Sequence, residues 1–185
     1  TRQFDLETAN SLLDTRVNNG PNASEINIVD TGSAILNSAN ESGNILGDFN
    51  SVSAVDVAIS DAQGLADLNR LSSIQISDSA SNISAFDETS LNSIGNVSFN
   101  VVDASLAEID SLSIPSFSYS INDSVENILS ADNGNEFSHI LSGASDVDTN
   151  QGANRDLSLS EMKSLVEIVG SFPASIAMNV ADEPN

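Results

Sequence analysis

Oxygen-bearing side chains alternate in the stretch Asp146-Val-Asp148-Thr-Asn150, and two further carboxylates follow at Asp156 and Glu161. Calcium is a hard cation that takes about six to eight oxygen ligands from carboxylates, amides and carbonyls, whereas magnesium binds fewer carboxylates and keeps several waters. The residue types and their spacing therefore favour calcium as a cation that this stretch could bind.

The same stretch resembles the loop of an EF-hand, a helix–loop–helix calcium module. Its D-x-D-x-N opening corresponds to the first three side-chain ligands, and the run from Leu157 to Glu161 corresponds to the end of the loop with its bidentate glutamate. Helices are predicted on both sides, over residues 135–141 and 161–169. The segment between Asn150 and Leu157 is longer than in that family, so Gly152 is displaced from the usual glycine position and Asp156 is the candidate for the middle ligand. An acidic loop that only caps the second helix is the alternative.

No set of catalytic residues assembles in the sequence. It has one histidine, His139, one lysine, Lys163, and no cysteine. No glycine-rich phosphate loop and no G-x-S-x-G motif are present. Carboxylate pairs can serve a glycosidase, but a single tyrosine, Tyr119, and no tryptophan leave few aromatic rings to stack on sugars. We therefore expect a protein that is not an enzyme, with His139 as a partly exposed helix residue.

The formal net charge of the chain is −22, with only five basic residues. Such a chain is repelled by nucleic acids and by anionic lipid surfaces, so we expect neither as a partner. No window is apolar enough to span a membrane, and the first residues lack the apolar region of a signal peptide. A hydrophobic content of 39% with clear periodicity indicates a folded chain.

One signature, apolar-x-apolar-x-Asp, recurs along the chain and ends at Asp30, Asp61, Asp78, Asp103, Asp123 and Asp182. Alternation with period two predicts a half-buried strand before each aspartate, over residues 26–29, 55–60, 73–77, 97–102, 117–122 and 178–182. Apolar residues at helical spacing follow, so each aspartate is predicted to cap the helix that it precedes. The chain is predicted to open with a helix capped by Asp5.

Repeats of about 20 to 30 residues, each with one strand and one helix, are typical of solenoids. The predicted fold is therefore α/β: a single-layer solenoid of parallel strand–helix repeats, similar in shape to leucine-rich repeats, with the EF-hand-like helices as an insertion. The predicted division is residues 1–130 for the repeats, 131–170 for the helix–loop–helix and 171–185 for the last strand and tail. One strand face is expected to be polar and open to recognition, through Asn27, Gln75, Asn100, Ser120 and Asn179.

The repeat unit Ile121-Asn-Asp123-Ser-Val-Glu-Asn-Ile128 resembles the Ser/Asn/Asp-rich repeats of large secreted bacterial surface proteins of marine and cyanobacterial type, which are acidic and associated with calcium. The resemblance implies a secreted or cell-surface location and a non-catalytic, calcium-binding structural or adhesive segment. Self-association or binding to another surface or matrix protein is then expected. The alternatives are a recognition module that binds a glycan or a protein through the polar strand face, and a subunit of a homopolymeric filament.

Overall fold

The structure is a computed structural model that describes residues 2–14, 23–40, 46–68, 71–113, 117–134, 136–151 and 156–170. These residues form an α/β fold. The strands are β1 (Arg2–Phe4), β2 (Ile26–Thr31), β3 (Ser51–Val57), β4 (Ser73–Asp78), β5 (Asn96–Ala104), β6 (Phe117–Ser124) and β7 (Asp146–Gln151). The helices are α1 (Leu6–Asp14), α2 (Gly32–Asn40), α3 (Ile59–Asp67), α4 (Ala80–Ser84), α5 (Leu106–Ser111), α6 (Val125–Asp132), α7 (Ser138–Gly143) and α8 (Leu159–Val169). No helix in the described ranges is both long and apolar enough to cross a membrane.

The chain divides into two compact units. Unit 1 contains Thr1–Asp78 and Ala85–Asn100, and unit 2 contains Ser79–Ser84 and Val101–Asn185. In unit 1, β1, β2, β3 and β4 lie side by side in sequence order and pair in parallel. In unit 2, β6 and β7 pair in parallel. Parallel neighbours require a crossover between them, and the helices that follow the strands supply it.

The core of each unit follows from the alternation in its strands. In unit 1, Ile26 and Ile28 of β2 are fully buried, while Asn27 between them is partly exposed. In unit 2, Ile121 of β6 is buried on the face that packs against helices, and Val125, Ile128, Leu129, Leu157 and Leu165 form a buried cluster. The predicted strands at 26–29, 73–77, 97–102 and 117–122 are confirmed, because one apolar face and one polar face alternate along each of them.

Strand β3 lies earlier in the chain than predicted. The sequence predicted a strand over residues 55–60 that ended at Asp61, but β3 ends at Val57, and Asp61 lies inside α3. The inward-facing residues of β3 are Val52, Ala54 and Val57, with a register shift between the last two. Asp56 sits at that irregularity with a φ of 49°, a left-handed conformation that aspartate tolerates better than most residues. The extra residue at this irregularity shifts the apolar alternation by one position, so the strand was predicted over residues 55–60.

The first described element is a strand, β1, which pairs with β2. The prediction that the chain opens with a helix missed it, because Arg2-Gln-Phe4 is too short to show alternation. The predicted cap of the first helix is confirmed, since the Oδ1 atom of Asp5 accepts a hydrogen bond from the backbone N–H of Thr8 at 2.6 Å.

The aspartates at the strand ends do not cap the helices that they precede. A hydroxyl side chain one or two residues further on provides that cap: Thr31, Ser79, Ser105 and Ser124 accept hydrogen bonds from backbone N–H groups of α2, α4, α5 and α6. Asp30, Asp78 and Asp123 instead accept from the first N–H of an earlier helix, at Leu6, Ile59 and Leu106. The predicted capping role is therefore wrong for these three. The strand predicted at 178–182, with Asp182, lies outside the described residues.

Candidate functional site

The first three predicted calcium ligands lie on a strand. Asp146, Asp148 and Asn150 belong to β7, so the prediction of a loop over these residues is wrong. Their side chains are exposed, whereas Thr149 between them is only 5% exposed. The D-x-D-x-N pattern also has period two, and alternation of polar and less polar residues is the signature of a half-buried strand. The acidic composition concealed that signature.

Register places the acidic face of β7 beside polar residues of β6. Ser120 lies opposite Asp146, and Asn122 lies opposite Asp148. Asn150 is tied to the neighbouring strand, since its Nδ2 atom donates to the backbone oxygen of Asn122 at 2.9 Å. The structure therefore brings Asp146, Asp148 and Asn150 together as one row on an exposed strand face.

Each of the two carboxylates on β7 also contacts the backbone. The Oδ1 atom of Asp146 accepts from the N–H of Val147 at 3.1 Å, and the Oδ1 atom of Asp148 accepts from the N–H of Thr149 at 2.7 Å. Same-face side chains two residues apart on a strand are separated by about 7 Å. At that distance two exposed charges repel by only about 0.6 kcal/mol in water. This repulsion is weak enough that the two carboxylates can remain charged side by side without a cation between them.

The remaining two predicted ligands lie at the start of α8. Asp156 is exposed, and residues 152–155, which include Gly152, lie outside the described residues. The Oε2 atom of Glu161 accepts from the backbone N–H of Ser158 at 2.9 Å and from its hydroxyl at 2.8 Å. The hydroxyl of Ser158 accepts in turn from the N–H of Glu161, which completes a capping box. In the described part of the chain, no three His, Cys, Asp or Glu side chains are placed to share a metal ion.

The residues predicted to form a recognition face are partly exposed, but those in unit 1 do not form a single row. Asn27 pairs with Ser51 of β3, whereas Gln75 lies two residues beyond Ser73, which pairs with Ser53. Asn27 and Gln75 are therefore offset by four residues along the strands, about 13 Å. In unit 2, Ser120 is partly exposed on β6, and Asn179 lies outside the described residues.

Two sets of side-chain hydrogen bonds join neighbouring strands on the polar face of unit 1. Asn100 donates through Nδ2 to the hydroxyl of Ser77 at 3.5 Å, and Ser77 donates to Asp56 at 3.4 Å. At the opposite ends of the strands, Asn50 donates through Nδ2 to Oδ1 of Asn27 at 2.7 Å. The bond between Asn50 and Asn27 borders a surface cavity. The sequence did not reveal this cavity, because the residues that line it come from two segments about 20 positions apart.

His139 is exposed on α7, and its backbone oxygen accepts from the hydroxyl of Ser142. Tyr119 lies on the inner face of β6 and donates its hydroxyl to the backbone oxygen of Ile140 at 2.8 Å. Removal of the phenol from water raises its pKa above the ordinary value of 10.0.

The chain matches no protein-family model, no curated protein and no solved structure.

Proposed function

We propose that this chain is a non-catalytic structural segment of an extracellular or cell-surface assembly, built as a solenoid of strand–helix repeats. The observation that carries the proposal is the recurring bond between a strand-end aspartate and the first N–H of an earlier helix. It occurs at Asp30, Asp78 and Asp123, with distances of 3.0, 3.0 and 2.9 Å. A solenoid repeat is stabilised mainly by its neighbours, and this bond joins one repeat to the next.

Calcium is the proposed cation, with Asp146, Asp148 and Asn150 as its first ligands. These side chains are exposed on one strand face in a chain with a net charge of −22, which favours cations near its surface. Asp156 and Glu161 belong to the same proposal, because they follow β7 in the chain, with Glu161 in the first turn of α8. Because Glu161 already accepts two hydrogen bonds from Ser158, its recruitment would cost the capping box of α8.

Calorimetric titration with calcium tests this site, accompanied by thermal melts in calcium and in chelator. The proposal predicts one saturable binding event that raises the melting temperature, because a ligand bound only to the folded state stabilises it. The variant Asp146→Ala/Asp148→Ala should lose the event, whereas Asp110→Ala/Asp132→Ala, which removes the same charge from exposed helix positions, should keep it. If both variants lose the binding event equally, the heat reflects general charge screening and the proposed site is rejected.

Self-association is tested separately, by sedimentation velocity over a range of protein and salt concentrations. A chain with this net charge repels its copies, and salt or calcium lowers that repulsion. The structural proposal predicts larger species as salt or calcium rises. A monomer under every condition, with no binding to a surface or matrix protein, would count against it.

Recognition of a glycan or a protein is the second candidate function. It is favoured by the polar strand face of unit 1, where Asn27 and Asn100 hold neighbouring side chains through hydrogen bonds. Substitution of Asn27 or Gln75 by a bulky residue should abolish binding under this alternative and should change little under the structural proposal.

A further inference from the structure

A cavity of about 350 Å³ opens at the start of β3 and β4 in unit 1. Its walls come from two segments that lie just before these strands and include the first residues of β3: Leu46, Gly47, Phe49, Asn50, Ser51, Val52, Leu71 and Ser72. Ligand pockets in proteins span about 300 to 1,000 Å³, so this cavity is at the small end of that range.

The floor and the rim of the cavity differ in chemistry. Leu46, Phe49 and Leu71 are at most 8% exposed and supply apolar surface. Asn50 and Ser72 are exposed at the rim. Most of the accessible lining of this cavity is polar, and the apolar part is smaller. Polar groups fix the orientation and the specificity of a bound small molecule.

The polar groups at the rim are held in place by the sheet. Asn50 uses its amide nitrogen to bind Oδ1 of Asn27 at 2.7 Å, which leaves its own carbonyl oxygen for a ligand. The hydroxyl of Ser72 donates to the backbone oxygen of Val52 at 3.0 Å and lies 3.3 Å from the hydroxyl of Ser53. Ser73 donates to Ser53 at 2.8 Å. Because these bonds orient the rim before any ligand arrives, less entropy is lost on binding.

Among the described residues, none of the side chains that line the cavity is charged. The surrounding chain carries a net charge of −22, which disfavours anionic ligands. Hydroxyl and amide groups both donate and accept hydrogen bonds, and they match a ligand that also does both. A neutral saccharide fits these terms, since its hydroxyl groups face the rim and its C–H groups face the apolar floor.

We propose that this cavity binds a neutral saccharide, with Asn50 and Ser72 as hydrogen-bonding residues and Asn27 as a positioning residue. The site is separate from the proposed calcium ligands, and it does not depend on calcium or on self-association.

Amide resonances of the full chain, recorded during titration with glucose, galactose and N-acetylglucosamine, test the proposal. At least one sugar should produce saturable shifts confined to residues 46–52 and 71–73, with a dissociation constant in the millimolar range, as expected for about 4 kcal/mol of binding free energy. Glucuronate at the same concentration should bind at least about tenfold more weakly, which corresponds to about 1.4 kcal/mol.

Two variants separate the cavity from non-specific effects. Ser72→Tyr fills the rim and should abolish the shifts, whereas Ser60→Tyr, at an exposed position of α3, should leave them unchanged. Asn50→Leu provides a second test if Ser72→Tyr fails to fold, and it should weaken binding by at least about tenfold. The proposal is overturned if no sugar shifts these residues at about 0.1 M, well above a millimolar dissociation constant. It is also overturned if glucuronate binds equally well, or if Asn50→Leu binds like the wild type.

Discussion

The Oδ2 atom of Asp123 accepts the backbone N–H of Leu106 at 2.9 Å, although Asp123 lies at the end of β6 and Leu106 begins the helix that follows β5. The Oδ1 atom of the same carboxylate accepts from the N–H of Ser124 and from Nδ2 of Asn127. Asp123 is 5% exposed, so these donors take the place of water around a buried charge. One side chain thus joins the start of α5 to the start of α6.

Replacement of Asp123 should therefore destabilise unit 2 strongly. Asp123→Ala leaves the buried N–H of Leu106 without an acceptor, and we expect a loss of about 2 to 3 kcal/mol in the free energy of unfolding. Asp123→Asn should lose less stability than Asp123→Ala, because its carbonyl oxygen still accepts a hydrogen bond. It should remain less stable than the wild type, because its NH2 group faces another donor. Urea denaturation measures both, with Asp110→Ala on the exposed face of α5 as the control, expected within about 0.5 kcal/mol of the wild type. Equal effects for Asp123→Ala and Asp110→Ala would contradict the bridging role.

The bond between Asp123 and Leu106 also marks the limit of what the sequence predicts. Alternation around Ile26, Ile76, Val101 and Ile121 located four strands, because half-buried strands impose period two on their own residues. Strand register is a relation between segments and leaves no local pattern, so the aspartates were assigned to the nearest helix. In β7, charge suggested a metal loop where burial of Thr149 and pairing with β6 made a strand. The cavity combines residues from two segments, so no local sequence pattern predicted it either.

The capping box at α8 gives a second prediction. Ser158→Ala removes the hydroxyl that accepts from the N–H of Glu161, and we expect a loss of about 1 kcal/mol. Ser160→Ala lies two residues further along the helix and is exposed, so it should be neutral or slightly stabilising, because alanine favours helix. Denaturant melts of the two single variants measure the difference. A similar loss in both would show that the hydroxyl of Ser158 does not act as a cap.

Two exposed aspartates provide a prediction on pH. The pKa of Asp87 is held below its ordinary value of 3.8 chiefly by the hydroxyl of Thr89, and secondly by the N–H of the same residue. The pKa of Asp5 is lowered chiefly by the backbone N–H of Thr8. Because both are lowered on folding, their stabilisation is present above the unfolded pKa and is lost as pH falls through the folded pKa.

Carboxyl resonances followed by NMR between pH 2 and 6 report these two pKa values directly. Thr89→Val removes the largest cause at Asp87 and should raise its pKa toward the ordinary value. Thr8→Val keeps the backbone N–H and should move the pKa of Asp5 less. A larger shift at Asp5 than at Asp87 would reverse the assigned causes.

Two glycines in unit 1 should respond to alanine with opposite signs. A Cβ atom on Gly32 would lie 2.8 Å from Cγ2 of Val57 and 3.0 Å from Cδ1 of Leu65, both buried, so Gly32→Ala should cost about 1 to 3 kcal/mol through overpacking. On Gly64, inside α3, the nearest atom is Cδ2 of Leu36 at 3.4 Å. Gly64→Ala should therefore stabilise the chain by about 0.5 to 1 kcal/mol through helix propensity.

A double variant checks the cause at Gly32. Gly32→Ala combined with Val57→Ala should be more stable than the sum of the two single losses predicts, because the smaller residue makes room for the new methyl group. Strict additivity in urea denaturation would place the cause of the loss elsewhere.

The last prediction concerns the edge of β7, which pairs only with β6 among the described residues. Asp146 and Asp148 place two exposed carboxylates on this strand, beside the edge where a further strand could pair. Charged residues on edge strands oppose such pairing. Asp146→Ala/Asp148→Ala should therefore aggregate faster than the wild type when light scattering is followed at fixed protein and salt concentration. Asp110→Ala/Asp132→Ala removes the same charge from exposed helix positions and should not, and equal acceleration would attribute the effect to net charge instead of the strand edge.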